Sequence, residues 1–258
     1  MPMNKRFLIA IDDGHGMETA GKRTPLLPDG TVMRENEFSR RVAQLLAAHL
    51  MRCGQEILLV APSDNDTPLK ARTAAANKAK ADFYISIHAN ATGGGSFNSV
   101  RGIETYHYPG SIEGRAAAEI IHRHLLSGTK LPDRGVKSAD FHVLRETSMP
   151  AVLVECGFMT NLDDAALLRT EAYRAECAAE LAAGICEYLG VAYAVESDED
   201  PLPSISRRVA GRLNGRLIED GYLIDGKTYI PLREIAEEIG ARVDWDPVKF
   251  EYDMKEGE

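Results

Sequence analysis

The sequence predicts an α/β fold: a mostly parallel or mixed central sheet with helices on both faces, followed by a small C-terminal α+β domain. Three observations carry this expectation. Short β-rich runs alternate with helical patterns over residues 1–191. Most of those runs are apolar throughout rather than alternating, as strands covered on both faces are. The rhythm then breaks at an acidic, proline-containing stretch, beyond which only short, turn-bounded segments follow. A chain of 258 residues is long enough for a medium domain plus a small one.

The first strand is Phe7–Ile11. Its apolar stretch is too short for the core of a secretory signal peptide, lacks a small-residue cleavage site and runs straight into Asp12-Asp13-Gly14-His15-Gly16. Synthesis in the cytoplasm without a signal peptide is therefore expected. From Glu35 to Cys53, Phe38, Val42, Leu45, Leu46 and Leu50 recur at helical spacing on one side. A strand, Ile57–Val60, follows. Thr67-Pro68 reads as an N-cap with proline at the first helical position, opening a helix to about Lys80. Phe83–His88 and Ile103–Tyr108 are the next strands, and Ser111 caps a helix to about Leu126. Phe141–Leu144 is a weaker strand candidate, and Ala151–Glu155 a stronger one. Glu171–Leu189 is a long helical pattern closed by Gly190.

Residues 192–205 read as a linker, because Glu196-Ser-Asp-Glu-Asp-Pro-Leu-Pro203 has no apolar period. Residues 206–258 form the small module. Its turns are expected at Asn214-Gly215, Asp220-Gly221 and Asp225-Gly226. A helix over Leu232–Ile239 ends at Gly240, with strands at Arg242–Trp245 and Phe250–Tyr252.

Composition excludes several classes. The hydrophobic fraction of 44% and charged fraction of 27% are those of an ordinary globular chain, not a disordered one. A net charge of −9 argues against nucleic acid as a partner. No apolar run approaches the ~20 residues that membrane insertion requires. Four cysteines without C-x-x-C spacing read as free, buried thiols.

Chemistry concentrates at strand ends. His15 follows the first strand between two glycines, and His88 ends another. Ligands of open α/β sheets gather outside the carboxyl ends of strands. A catalytic zinc site needs three nitrogen or oxygen ligands and an open position. Glu35, which opens the first helix, is the best third ligand. Glu155 ends a further strand, where a carboxylate can take a proton from water and pass it to a leaving amine. At this level two readings stand side by side: ligands to one ion, or hydrogen-bonded loop histidines beside a helix-start charge. His122 and His124 face different directions on their helix. Neither H-E-x-x-H nor G-x-S-x-G occurs. Gly93-Gly94-Gly95 lacks the continuation of a phosphate loop and reads as a flexible loop over the site, and Cys156 as core packing.

Six ordered motifs within residues 5–190 resemble the zinc-dependent N-acetylmuramoyl-L-alanine amidases. They are Ile11-Asp-Asp-Gly-His-Gly16, Arg34-Glu-Asn-Glu-Phe38, Leu69-Lys-Ala-Arg72 with Ala76-Asn77, Ala81 to Asn90, Gly102-Ile-Glu-Thr-Tyr106 and Met149 to Asn161. The resemblance implies that His15, Glu35 and His88 bind Zn2+ and that Glu155 is the catalytic carboxylate. It implies hydrolysis of the amide between the lactyl group of N-acetylmuramic acid and L-alanine in bacterial peptidoglycan. Asn90, Glu104 and Arg145 are then candidates for substrate contact or for support of the site. One departure is that Asp13 stands where the family usually has proline, as a group beside the site, a shift of the loop or a contributor to metal binding. The helix that plugs the site in some relatives has no counterpart here, so an open site is expected.

Residues 217–246 resemble the small N-terminal domain of copper amine oxidases, also found in bacterial surface proteins. Copper is not implied, because the segment has no histidine, cysteine or methionine cluster. Its expected role is attachment to the cell wall, with homodimerisation as the alternative. The cellular setting that fits best is a phage endolysin released by lysis or through a holin, and second a mother-cell amidase of sporulation. A zinc peptidase acting on other peptides and a non-catalytic wall-binding protein are the competing functions.

Overall fold

The computed structural model describes residues 5–62, 64–194, 205–213, 216–224, 227–229, 241–246 and 251–256. The chain divides into two units, Met1–Ala194 and Val195–Glu258.

The first unit is built on strands β1 (Leu8–Asp12), β2 (Glu56–Leu59), β3 (Phe83–Asn90), β4 (Ile103–His107), β5 (Asp133–Ser138) and β6 (Ala151–Phe158). They form one six-stranded sheet in the order β2-β1-β3-β6-β4-β5. β1 pairs in parallel with both β2 and β3, and β3 with β6. β4 runs antiparallel to β6 and parallel to β5, so the sheet is mixed.

Helices α1 (Glu35–Arg52), α3 (Ile112–Thr129) and α6 (Glu171–Leu189) share one core with Ile9, Ile11, Ile85, Ile87, Val152 and Val154 of the sheet. Helices α2 (Leu69–Ala79) and α4 (His142–Arg145) go with the other face, where Ala10, Tyr84 and Leu153 lie. Successive strand residues point to opposite faces, and both faces are covered, which is why these strands read as unbroken apolar runs. In α1, Phe38, Val42, Leu46 and Leu50 are all fully buried. Each contributes about 1.5–3 kcal/mol on the scale of apolar transfer. Ser111 Oγ accepts from Gly114 N to start α3, and Gly190 at φ +68° ends α6. No described helix is long and apolar enough to cross a membrane.

Several expectations are corrected. Phe141–Leu144 is not a strand, for Phe141 is the N-cap of α4. The cap of α2 is Pro68, one residue later than Thr67, and it has no side-chain cap bond. α3 extends to Thr129 and is closed by Lys130 in the left-handed region at φ 54°. Strand β5 and helix α5 (Leu162–Leu168) were not anticipated.

The second unit contains β7 (Ile205–Leu213), β8 (Arg216–Ile224) and β9 (Lys227–Tyr229) as an antiparallel three-stranded sheet, and β10 (Ala241–Asp246) with β11 (Glu251–Glu256) as an antiparallel pair. Asp220-Gly221, expected as a turn, runs inside β8, beside a register shift between Val209 and Gly211 of β7. The expected helix over Leu232–Ile239, the dipeptides Asn214-Gly215 and Asp225-Gly226, and residues 195–204 of the expected linker lie outside the described residues.

Candidate metal centre

β1 is flanked by β2 on one side and by β3 on the other, so the chain reverses its direction of sheet growth there. Such a switch point leaves a crevice at the carboxyl ends of the two central strands. His15 lies just beyond β1, and His88 lies near the end of β3. Gly14, at φ +71°, carries the loop across His88. A Cβ there would sit 2.8 Å from His88 Cε1 and 3.0 Å from the Ile87 carbonyl oxygen, so glycine is required for the crossing. The loop is tied to the first turn of α1. Asn36 Nδ2 donates to the carbonyl of His15, and Ser39 Oγ donates to that of Asp13 at 2.7 Å. Glu35, the first residue of α1, is thereby aimed at both imidazoles.

The three side chains converge. His88 Nδ1 is 2.8 Å from Glu35 Oε1, and His15 Nε2 is 3.9 Å from Glu35 Oε2. The two rings stand nearly perpendicular, with centroids 5.2 Å apart. One donor atom from each of the three lies within 4.8 Å of the others, the single such grouping among the described residues. A tetrahedral ion with bonds of ~2.0–2.1 Å holds its donors roughly 3.4 Å apart, so small side-chain rotations complete the set. Glu35 Oε2 is buried without a hydrogen-bond partner, and Lys22 Nζ, at 3.8 Å, is too distant to be one. An orphaned carboxylate oxygen between two imidazoles is what a divalent cation satisfies.

Burial and mutual charge set the protonation of the three groups. Burial pulls His15 down to about 4, against the opposing charge of Glu35, so its lone pair is free at neutral pH. Burial also acts to lower His88, but the hydrogen bond and charge of Glu35 outweigh it and leave His88 above its ordinary value. Glu35 is pushed up by burial and down by the hydrogen bond and charge of His88, and ends below the usual carboxylate range.

Glu155 sits on β6 directly opposite His88 of β3, and opposite Glu104 of β4 on its other side. The register between β3 and β6 shifts just after His88, where Gly157 takes φ +137°. Bulges of this kind re-aim side chains beside sites. Burial, opposed by His88 and reinforced by Glu35, pushes Glu155 up to about 8. Its Oε2 is buried without a partner. A carboxyl group tuned to that range both accepts and releases a proton near neutrality.

Asn90 and Glu104 join this wall, with Asn90 Nδ2 donating to Glu104 Oε2 at 2.9 Å. Glu104 also accepts from Tyr106 OH, Arg134 Nε and Lys137 Nζ at 2.5–2.7 Å. Arg145 is not brought to the cluster. Its guanidinium pairs with Asp140 and Glu146, and it lines a pocket with Pro150 and Ala151 at the amino end of β6. Asp13 is not part of the donor grouping and accepts from Arg40 Nε at 2.8 Å, with Arg40 also bonded to Asp64. The glycine loop after β3 is pinned by Asn98, whose amide N–H donates to Thr160 O at 2.8 Å.

Four further residues escaped the sequence reading. Asp12, fully buried, accepts from Gly14 N at 3.1 Å, Arg72 Nη1 at 2.9 Å, Tyr84 OH at 2.8 Å and Ser86 Oγ at 2.9 Å. Ser86 Oγ also lies 3.0 Å from His88 Nε2. The available clue was Tyr84, Ser86 and His88 at alternate positions, a polar line on one face of an otherwise apolar strand.

Comparison with known proteins follows the same outline. The family described as N-acetylmuramoyl-L-alanine amidase matches residues 9–187, and the copper amine oxidase N-terminal domain matches residues 212–258. The chain is 39% identical over 168 residues to the N-acetylmuramoyl-L-alanine amidase CwlM of Bacillus licheniformis, a match covering 64% of this chain and 62% of that protein. It is 34% identical over 190 residues to the endolysin of Bacillus phage SPP1, covering 71% of this chain and 66% of the endolysin. The chain thus spans about three fifths of CwlM's length. Among solved structures, the catalytic domain of CwlV, an N-acetylmuramoyl-L-alanine amidase from Bacillus (Paenibacillus) polymyxa var. colistinus, superposes with a TM-score of 0.65 at 33% identity. That match covers 72% of this chain and 99% of the CwlV domain.

Proposed function

The chain belongs to the N-acetylmuramoyl-L-alanine amidase family, and we propose that it hydrolyses the amide joining the lactyl group of N-acetylmuramic acid to the L-alanine of the stem peptide in bacterial peptidoglycan. The observation that carries this reading is the convergence of His15, Glu35 and His88 around an unsatisfied Glu35 oxygen, with Glu155 on the adjacent strand.

His15, Glu35 and His88 are the residues that would hold zinc, whose charge would polarise the amide carbonyl and acidify water. Glu155 accepts a proton at its unpartnered Oε2 and returns it to the nitrogen of the departing L-alanine. Glu104, held by Arg134 and Lys137, keeps Asn90 extended along the wall beside Glu155, where it can meet the substrate. A zinc peptidase acting on sugar-free peptides would use the same residues, but the relatives named as muramoyl amidases favour the wall. The endolysin among them supports a lytic setting, with action on the wall at cell lysis. We assign residues 206–258 to wall attachment; residues 212–258 match the copper amine oxidase N-terminal domain and lie outside the unit that carries the metal centre.

Mass spectrometry of purified peptidoglycan, digested with and without a chelator, tests the reaction. Stem peptides with a free L-alanine amino group and sugar-bound lactyl carboxylates are expected, and chelation should abolish both. Cleavage within the stem peptide, or products unaffected by chelation, would overturn it.

A further inference from the structure

The polar line beneath His88 has a direction. Asp12 is a carboxylate surrounded by donors, with Arg72 Nη1 at 2.9 Å, Tyr84 OH at 2.8 Å and the Gly14 amide at 3.1 Å. It offers only acceptor sites to Ser86, whose Oγ lies 2.9 Å from Asp12 Oδ2. A serine hydroxyl has one proton to give. That proton goes to Asp12, so towards His88 Nε2, 3.0 Å away, Ser86 presents a lone pair. His88 Nε2 must then carry hydrogen, and Nδ1, 2.8 Å from the Glu35 carboxylate that competes for its proton, is the nitrogen left to meet an ion.

The chain is anchored at its far end. Arg72 is only 2% exposed. Besides Asp12, it donates through Nη2 to Asp66 at 2.7 Å and through Nε to the Thr67 carbonyl at 2.7 Å. Asp66 in turn accepts from Thr19 Oγ1 at 2.7 Å, in the loop between His15 and Lys22. One buried guanidinium therefore braces the support of His88 and the loop that follows His15.

We propose that Arg72, Asp12 and Ser86 form a positioning relay that holds His88 as its Nε2–H tautomer and presents Nδ1 to the metal. None of the three touches the ion or the substrate; they act through His88. The inference rests on the metal-site reading above for its consequence, but the tautomer itself can be measured without metal. Groups that orient a ligand histidine change metal affinity by roughly 10–100-fold when removed.

The experiment has two arms. In the first, long-range nitrogen–proton correlation spectra of the metal-free Glu35→Ala protein, in which no carboxylate competes for Nδ1, recorded at a pH where the His88 ring is neutral, should show hydrogen on Nε2. Hydrogen on Nδ1 there would overturn the relay. In the second, zinc affinity is read by competition with a chromophoric chelator. Ser86→Ala should lose roughly 10–100-fold and show mixed tautomers. Asp12→Asn, able to turn an amide N–H towards Ser86 and reverse its hydroxyl, should favour hydrogen on Nδ1. Folded variants that bind zinc within twofold of wild type, and that keep hydrogen on Nε2 when combined with Glu35→Ala, would sink the proposal. Failure of the wild type to bind zinc would instead overturn the metal-site reading, with the tautomer result standing apart.

Discussion

His88 and Glu155 are paired residues of two neighbouring parallel strands, one bearing a candidate metal ligand and the other the candidate proton carrier. Their separation is set by the backbone ladder of β3 and β6 rather than by loops, so the two groups hold a fixed relation whatever the substrate does.

That relation separates binding from turnover. Glu155→Ala should keep zinc near one per chain while hydrolysis falls by roughly 10²–10⁴-fold, the usual contribution of a positioned acid–base group. Metal analysis alongside the rate of lactyl-amide cleavage checks both. A purified, zinc-loaded variant that still turns over at the wild-type rate would remove Glu155 from the mechanism.

Metal should also stabilise the fold. At free zinc a hundredfold above its Kd, binding adds about 2.7 kcal/mol, which raises Tm by roughly 5–10 °C for a domain of this size. Thermal melts with and without zinc should show that rise in the wild type and lose it in His15→Ala. An equal rise in both proteins would place the ion elsewhere.

Acid sensitivity should trace in part to Glu104. Burial raises its pKa, but hydrogen bonds from Lys137, Tyr106 and Arg134 prevail and hold it below the usual 4.5. A carboxyl group depressed in the folded state contributes stability that is fully present above its unfolded value and lost as pH falls through its folded one. The Tm advantage of wild type over Glu104→Gln should therefore be constant near neutrality and shrink below pH 4.5. A gap that ignores pH would mean that the ion pairs contribute nothing beyond shape.

Asp13 should prove structural. It is bonded to Arg40 and lies outside the grouping of metal donors. Asp13→Ala should leave zinc stoichiometry unchanged while lowering stability by roughly 1–3 kcal/mol, because Arg40 loses a buried partner. Urea melts and metal analysis read the two effects separately, and loss of zinc with unchanged stability would reverse the assignment.

Truncation after residue 194 should spare zinc binding and cleavage of soluble muramoyl peptides but reduce co-sedimentation with purified walls several-fold. Full retention of wall binding would move that role to the first unit, and conversion of a dimer to a monomer would reveal an assembly role for the second.

What the sequence disclosed depended on burial. β1, β3 and β6 lie inside the sheet with both faces covered, and their apolar runs announced them. β5 is an edge strand, Asp133-Arg-Gly-Val-Lys-Ser138, with no apolar run to read. α5 is only seven residues long and is started by Asn161, whose side chain accepts from the amides of Asp163 and Asp164, a local cap rather than a periodic face. His15, Glu35, His88 and Glu155 could be placed at element ends from sequence, but their convergence needed the strand order β1-β3-β6, which no local pattern encodes. Arg145 looked equivalent to Asn90 and Glu104 in sequence, and only the fold separates them. The Asp12–Ser86 support stayed hidden because a buried serine beside a buried aspartate has no composition of its own to stand out.

The same polarity that concealed β5 has a use. Its outer rim is the sheet's open margin, with main-chain groups that an unrelated strand could pair with. The strand is short and charged at Asp133, Arg134 and Lys137, although the last two also bond to Glu104, and charge on an edge strand disfavours such docking. Neighbouring copies of the chain are thereby discouraged from joining edge to edge.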